Sequence, residues 1–245
     1  MSWMFPRRSG IHAPETREWI LGALYLPVFL FFLNFAILTY FPALGFPLTE
    51  PRNYFFANLL YMAVNFAVML LIFRRTLWQS LREFEGKMLL SVLIGFGMCY
   101  GANLVLTTAY TVLDIMPENY NQEAVNSLLG GYPLAMTLCT VVLAPLAEEC
   151  LFRGVLFAPL ARRCLPAAYA LSMFLFAGMH VFQFLGSMTA ANTILCLSLY
   201  LPASFSLCWV YQKTGNIWAC IFLHMFINFQ SVLASLLRSL MQAFL

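Results

Sequence analysis

The chain has 245 residues, 62% of them hydrophobic and 9% charged, with a formal net charge of +3. Soluble domains average roughly 25% charged residues, and the mean hydropathy here is +0.81. A soluble globular protein is thereby excluded. So is a nucleic-acid-binding surface, because the basic residues gather at the ends of apolar stretches instead of along one face.

In chain order, the N-terminal MSWMFPRRSGIHAPETRE has no apolar core directly behind its basic pair, so no cleavable signal peptide is expected and targeting falls to the first span. Seven apolar stretches then approach the ~20 residues that cross a bilayer: 19–41, 54–73, 88–113, 132–157, 167–186, 190–211 and 216–237. The fourth contains two glutamates, and a split near Pro145 would raise the count to eight. Lipid forces each span to satisfy its own backbone hydrogen bonds. The expected fold is therefore all-α: a polytopic transmembrane helical bundle, one membrane-embedded domain over 1–245 with a motif-bearing core at about 132–237.

Between the spans, Arg7, Arg8, Arg17, Arg74, Arg75, Arg82, Lys87, Arg162, Arg163 and Lys213 fall on one side, against Arg52 and Arg238 on the other. The positive-inside rule then predicts a multi-pass protein with a cytoplasmic N-terminus. The stretch MPENYNQEAVNSLLGGYP (116–133) is the long polar segment of the opposite side. It reads as a connection, with a lid or an interfacial helix as the other options. Seven cysteines are scattered without a CxxC pair and mostly lie within spans, which suits packing better than metal binding or disulfides.

Five ionisable groups break the apolar rule. Glu148, Glu149 and Arg153 lie in the fourth span, His180 in the fifth and His224 in the seventh, whereas His12 is in the N-terminal tail. A charge at mid-bilayer costs roughly 2.5–3.5 kcal/mol on insertion scales, and such residues normally face the bundle interior or a wet cavity. At ~1.5 Å per residue from the basic rim, His224 sits about 14 Å deep and His180 and Glu148 about 21 Å. One layer could hold all three.

Spacing divides the acids. Glu149 and Arg153 are i,i+4 and share a helix face, while Glu148 is turned about 100° away. One carboxylate is thus paired with Arg153 for architecture, and the other is left available as a general base. In FAGMH (176–180) Phe176 lies one turn before His180, and in HMFIN (224–228) His224 and Asn228 share a face. An aromatic ring beside a histidine orients it and excludes water. A histidine and an asparagine projecting together can donate to one oxyanion.

Three motifs in order, EECLFR (148–153), FAGMH (176–180) and HMFIN (224–228), resemble the EExxxR, FxxxH and HxxxN of the CPBP intramembrane proteases. That family includes CAAX prenyl endopeptidases of the Ras-converting type and bacterial Abi proteins linked to bacteriocin processing. The resemblance covers about 148–228. It implies a glutamate-dependent endopeptidase without a metal or other cofactor. Glu148 and His180 would activate a water, His224 and Asn228 would hold the scissile carbonyl and its oxyanion, and Glu149, Arg153 and Phe176 would support them. The implied partners are the lipid bilayer and a membrane-associated peptide or protein substrate. Two other functions fit the bare residues. One is a zinc hydrolase using Glu148, His180 and His224 as ligands. The other is a non-enzymatic immunity or transport protein whose buried groups form a binding surface or ion path.

Overall fold

The computed structural model describes residues 13–243; Arg7, Arg8 and His12 lie outside the described residues. Among the described residues, seven helices are long and apolar enough to cross a membrane. They are α1 (Thr16–Ala43), α2 (Pro51–Ile72), α4 (Lys87–Val112), α6 (Pro133–Ala161), a span Leu165–Ser187 whose α-helical part is α7 (Leu165–Val181), α8 (Ala190–Thr214) and α9 (Ile217–Ala243). Two shorter helices, α3 (Arg74–Arg82) and α5 (Tyr120–Gly131), fill connections. The architecture is an all-α polytopic bundle, and the protein is an integral multi-pass membrane protein.

The segment 116–133 is therefore more than a connection: twelve of its residues form α5. Asn119 caps it, its side chain accepting from Gln122 N at 3.1 Å, which removes one orphan amide of the first turn. The short α3 is amphipathic. It is anchored by Glu18 of α1, a buried carboxylate that accepts from the amides of Arg75 (2.9 Å) and Thr76 (3.3 Å) and from the Thr76 hydroxyl.

The fourth span does not divide at Pro145. It runs unbroken from Pro133 to Ala161, with two widened π-helical stretches, Cys139–Leu143 and Cys150–Phe157. Proline lacks an N–H and its ring crowds the preceding turn, and a π-turn absorbs the misfit. The amide of Ala144 reaches back to Cys139 O, five residues away. The carbonyl of Thr140 thus loses its usual partner at 144, and at 145 there is no N–H to replace it. That freed carbonyl points to α9 and, as shown below, is used there.

Helix α6 is the hub, packed against α1, α2, α7, α8 and α9, while α4 packs outside against α8 and α9. Side chains along its middle (Cys150, Leu151, Phe152, Arg153 and Phe157) are fully buried. Leucines and phenylalanines such as Leu24, Phe35, Leu93 and Phe174 face outward, as lipid requires. Gly95 lets α4 approach closely: a Cβ there would lie 2.6 Å from Val210 and 2.9 Å from Leu223.

The turn from α8 to α9 is set by TGN (214–216). Gly215 takes the left-handed conformation, φ 64°, which ends α8 without a Cβ penalty. The Asn216 side-chain oxygen accepts from the amides of Trp218 (2.9 Å) and Ala219 (3.3 Å), capping α9, and its Nδ2 donates to Ser80 O at 2.6 Å. This cap fixes the start of the helix that carries His224 and Asn228. Asn216→Ala should lower stability by about 1–2 kcal/mol, measured as a fall in the thermal unfolding midpoint of the purified protein in detergent.

Candidate active site

Glu149 and Arg153 are both fully buried. Arg153 Nη1 donates to Glu149 Oε1 at 3.1 Å, and Nε lies 3.1 Å from Oε2, off-line for a hydrogen bond but within ion-pair range. The Nη2 donates to the carbonyl (3.1 Å) and hydroxyl (3.3 Å) of Ser204 on α8. The guanidinium also lies 4.9 Å over the ring of Phe176 on α7. A buried charge survives only when paired and hydrogen-bonded; here one arginine joins α6, α7 and α8.

Glu149 has a second partner. His224 Nδ1 lies 2.8 Å from Glu149 Oε1, and an ionised carboxylate can only accept, so Nδ1 carries a proton. The other nitrogen, Nε2, is then turned to Glu148, 3.8 Å from its Oε2. Glu148 is the less engaged acid. Its side chain is 12% exposed, and Oε2 has no hydrogen-bond partner among the described residues. A doubly protonated His224 donates to Glu149 from Nδ1 and can donate to another oxygen from Nε2.

His180 stands in the last turn of α7. Its Nδ1 lies 2.8 Å from Phe176 O, and a carbonyl can only accept, so Nδ1 carries the proton and Nε2 presents a lone pair. The Phe176 ring lies between the two histidines, its centroid 5.0 Å from His180 and 5.5 Å from His224. Phe152 meets it edge-on at 5.3 Å. Asn228, one turn beyond His224, donates through Nδ2 to Thr140 O at 2.8 Å. This is the carbonyl that Pro145 leaves unsatisfied. The asparagine is thus held by α6, with the second N–H of its amide still to be used.

The structure therefore brings Glu148, Glu149, Arg153, Phe176 and His224 into one cluster, joins His180 to it through Phe176, and ties Asn228 to the same hub helix. Several neighbours carry no sequence motif. Tyr200 of α8 stacks on His180, with centroids 4.4 Å apart and planes at 21°. Tyr61 of α2 lies within electrostatic reach of Glu148 and donates its hydroxyl to Phe29 O at 2.9 Å. Nearby, Tyr25 donates to Asn65 at 2.9 Å. A tyrosine in an apolar span looks like any packing residue, so the one available signal was a polar tip within a span.

Among the described residues, no group of three His, Cys, Asp or Glu side chains is arranged to hold a metal ion. Grooves of about 230 and 240 Å³ lie elsewhere, by Tyr54 and Tyr132 and by Tyr100 and Asn103. Neither is lined by a motif residue; the convergence of ionisable groups within the bundle marks the site, because each of those groups is costly there.

Residues 130–230 match the family model described as Rce1-like, type II CAAX prenyl endopeptidase. The chain is also 27% identical over 186 residues to the Bacillus subtilis (strain 168) protein named "Putative membrane peptidase YdiL", covering 72% of each chain. No solved structure gives a significant match. The matched segment, residues 130–230, is the one that carries EECLFR, FAGMH and HMFIN, so the likeness to the Rce1-like family falls on the helices that build this cluster.

Proposed function

We propose that the protein is an intramembrane endopeptidase of the CAAX-protease type in which Glu148 is the general base. The observation that carries this reading is the contrast between the two adjacent acids. Both oxygens of Glu149 are engaged, Oε1 by Arg153 Nη1 and His224 Nδ1 and Oε2 by the ion pair with Arg153 Nε, whereas Glu148 Oε2 has only His224 Nε2, at 3.8 Å.

Each step follows from a stated atom. A water held between Glu148 and the lone pair of His180 Nε2 gives a proton to Glu148 and attacks the peptide carbonyl. The carbonyl oxygen becomes an oxyanion and accepts from His224 Nε2–H and from the remaining N–H of Asn228. Glu148 then returns the proton to the departing amine, and the C–N bond breaks. Burial strengthens each of these contacts, and donors fixed in advance need no reorganisation as charge develops. Glu149 holds His224 in the state that can donate, and Thr140 O holds Asn228. These two, with Arg153 and Phe176, are positioning residues.

The excess of basic residues at the 74–87, 162–163 and 213 connections supports a cytoplasmic N-terminus and a substrate approach near the inner face. The substrate class is a membrane-associated peptide or protein. A quenched peptide ending in a prenylated CAAX box is the natural first probe, since that substrate is named in the description of the matched family.

Glu148→Gln preserves shape and hydrogen bonding but not basicity, and it should abolish nearly all hydrolysis while membrane insertion and folding persist. Comparative mass spectrometry of membrane-anchored peptides, in cells carrying the wild type or Glu148→Gln, reads this directly. Products formed only by the wild type are expected, and full cleavage by Glu148→Gln would refute the assignment. Asn228→Ala removes an oxyanion donor and should slow cleavage of the quenched peptide by about 10²–10³-fold, chiefly in kcat.

A further inference from the structure

The imidazole of His180 has one hydrogen bond to fix it, from Nδ1 to Phe176 O. A single bond leaves the ring free to rock about that axis. Two rings pack against it: Phe176, tilted at 46° with centroids 5.0 Å apart, and Tyr200, nearly parallel at 4.4 Å and so the one whose plane follows the imidazole's.

The Tyr200 hydroxyl is itself held. It donates to Asn119 Oδ1 at 3.0 Å and accepts from Asn121 Nδ2 at 3.2 Å. Both asparagines stand at the start of α5, outside the family motifs. That start is clamped to the same end of the bundle by three further contacts. Tyr120 stacks on Phe184, in the 3₁₀ turn that follows His180, at 6.0 Å. Glu118 and Asn192 of α8 exchange hydrogen bonds, at 2.9 and 3.1 Å. Ser231 of α9 donates to Gln122 at 3.2 Å. The segment 118–122 thus grips all three helices around the histidines, and Tyr200 connects it to the imidazole.

We propose that Tyr200 is a positioning residue for His180: its ring sets the imidazole plane, and its hydroxyl ties that plane to the start of α5. The kinetic consequence rests on the endopeptidase reading above; the geometric one does not. A misplacement of about 1 Å at a reacting group can cost of order 100-fold in rate, so the effect belongs in kcat and leaves KM nearly unchanged.

The test uses the full chain in proteoliposomes with two variants, Tyr200→Leu, which removes the ring and the tether, and Tyr200→Phe, which removes the tether alone. The first readout is diethylpyrocarbonate modification of His180, with His224 in the same sample as internal reference. Local shielding governs such reactivity, and Tyr200→Leu should raise the His180 rate about tenfold relative to His224 while Tyr200→Phe raises it about threefold. The second readout is cleavage of the quenched prenylated CAAX peptide. Here Tyr200→Leu should lower kcat by about 100-fold with KM within about twofold, and Tyr200→Phe should recover at least about tenfold of that loss.

Unchanged His180 reactivity in both variants overturns the proposal, as does a loss confined to KM. Should Tyr200→Leu fail to fold, Tyr200→Phe decides: wild-type reactivity and kcat in that variant remove the hydroxyl tie. Full cleavage by Glu148→Gln in the same assay would count against the peptidase reading, and His180 reactivity would still judge Tyr200.

Discussion

A buried polar array, the Arg153–Glu149 ion pair extended by a hydrogen bond to His224, is the constraint on which the rest of the structure depends. Charges inside a lipid-embedded bundle persist only with near-complete compensation. The array meets that demand by recruiting Ser204 from α8, Phe176 from α7 and His224 from α9 onto α6. Four helices are thereby fixed by contacts that do not rely on apolar packing, which discriminates weakly among helices in a membrane. Because Glu149 is engaged by both Arg153 and His224, its neighbour Glu148 is the less engaged acid. The opposite roles proposed for these two adjacent residues follow from their positions on the helix.

A second constraint comes from the backbone. Pro145 forces α6 into a π-turn and strands the carbonyl of Thr140, and Asn228 satisfies it. The local irregularity of one span thereby sets the side-chain orientation of another. Wide turns cost helix stability and concentrate at functional positions; the second one in α6 covers Cys150–Phe157 and holds Arg153 itself. The hub helix is irregular on both sides of its glutamates.

The seven spans and the all-α class were legible because hydropathy over about 20 residues is a strong signal in a chain so poor in charge. The pairing of Glu149 with Arg153 was legible too, since an i,i+4 contact is a local property. Contacts across the bundle were not. The bond from His224 to Glu149 joins residues 75 positions apart, and spacing along one helix cannot reveal it. Asn228 looked like a donor wholly free for an oxyanion, whereas one of its N–H groups serves Thr140. Helices α3 and α5 are short and polar, below the length at which a hydropathy window speaks. Tyr61 and Tyr200 stayed hidden because an aromatic residue within a span is the ordinary case. The asparagines that hold Tyr200, at 119 and 121, belong to a segment read as a connection.

The central claim is that the two adjacent acids are separable, one bearing the architecture and the other the reaction. The most direct measurement is the unfolding free energy of Glu149→Gln beside that of Glu148→Gln, each as the purified full chain in the same detergent. Breaking a buried charge network from one side should cost roughly 3–5 kcal/mol in Glu149→Gln, while Glu148→Gln should stay within about 1 kcal/mol of the wild type. The reverse order, or a Glu149→Gln protein as stable as the wild type, would contradict the account.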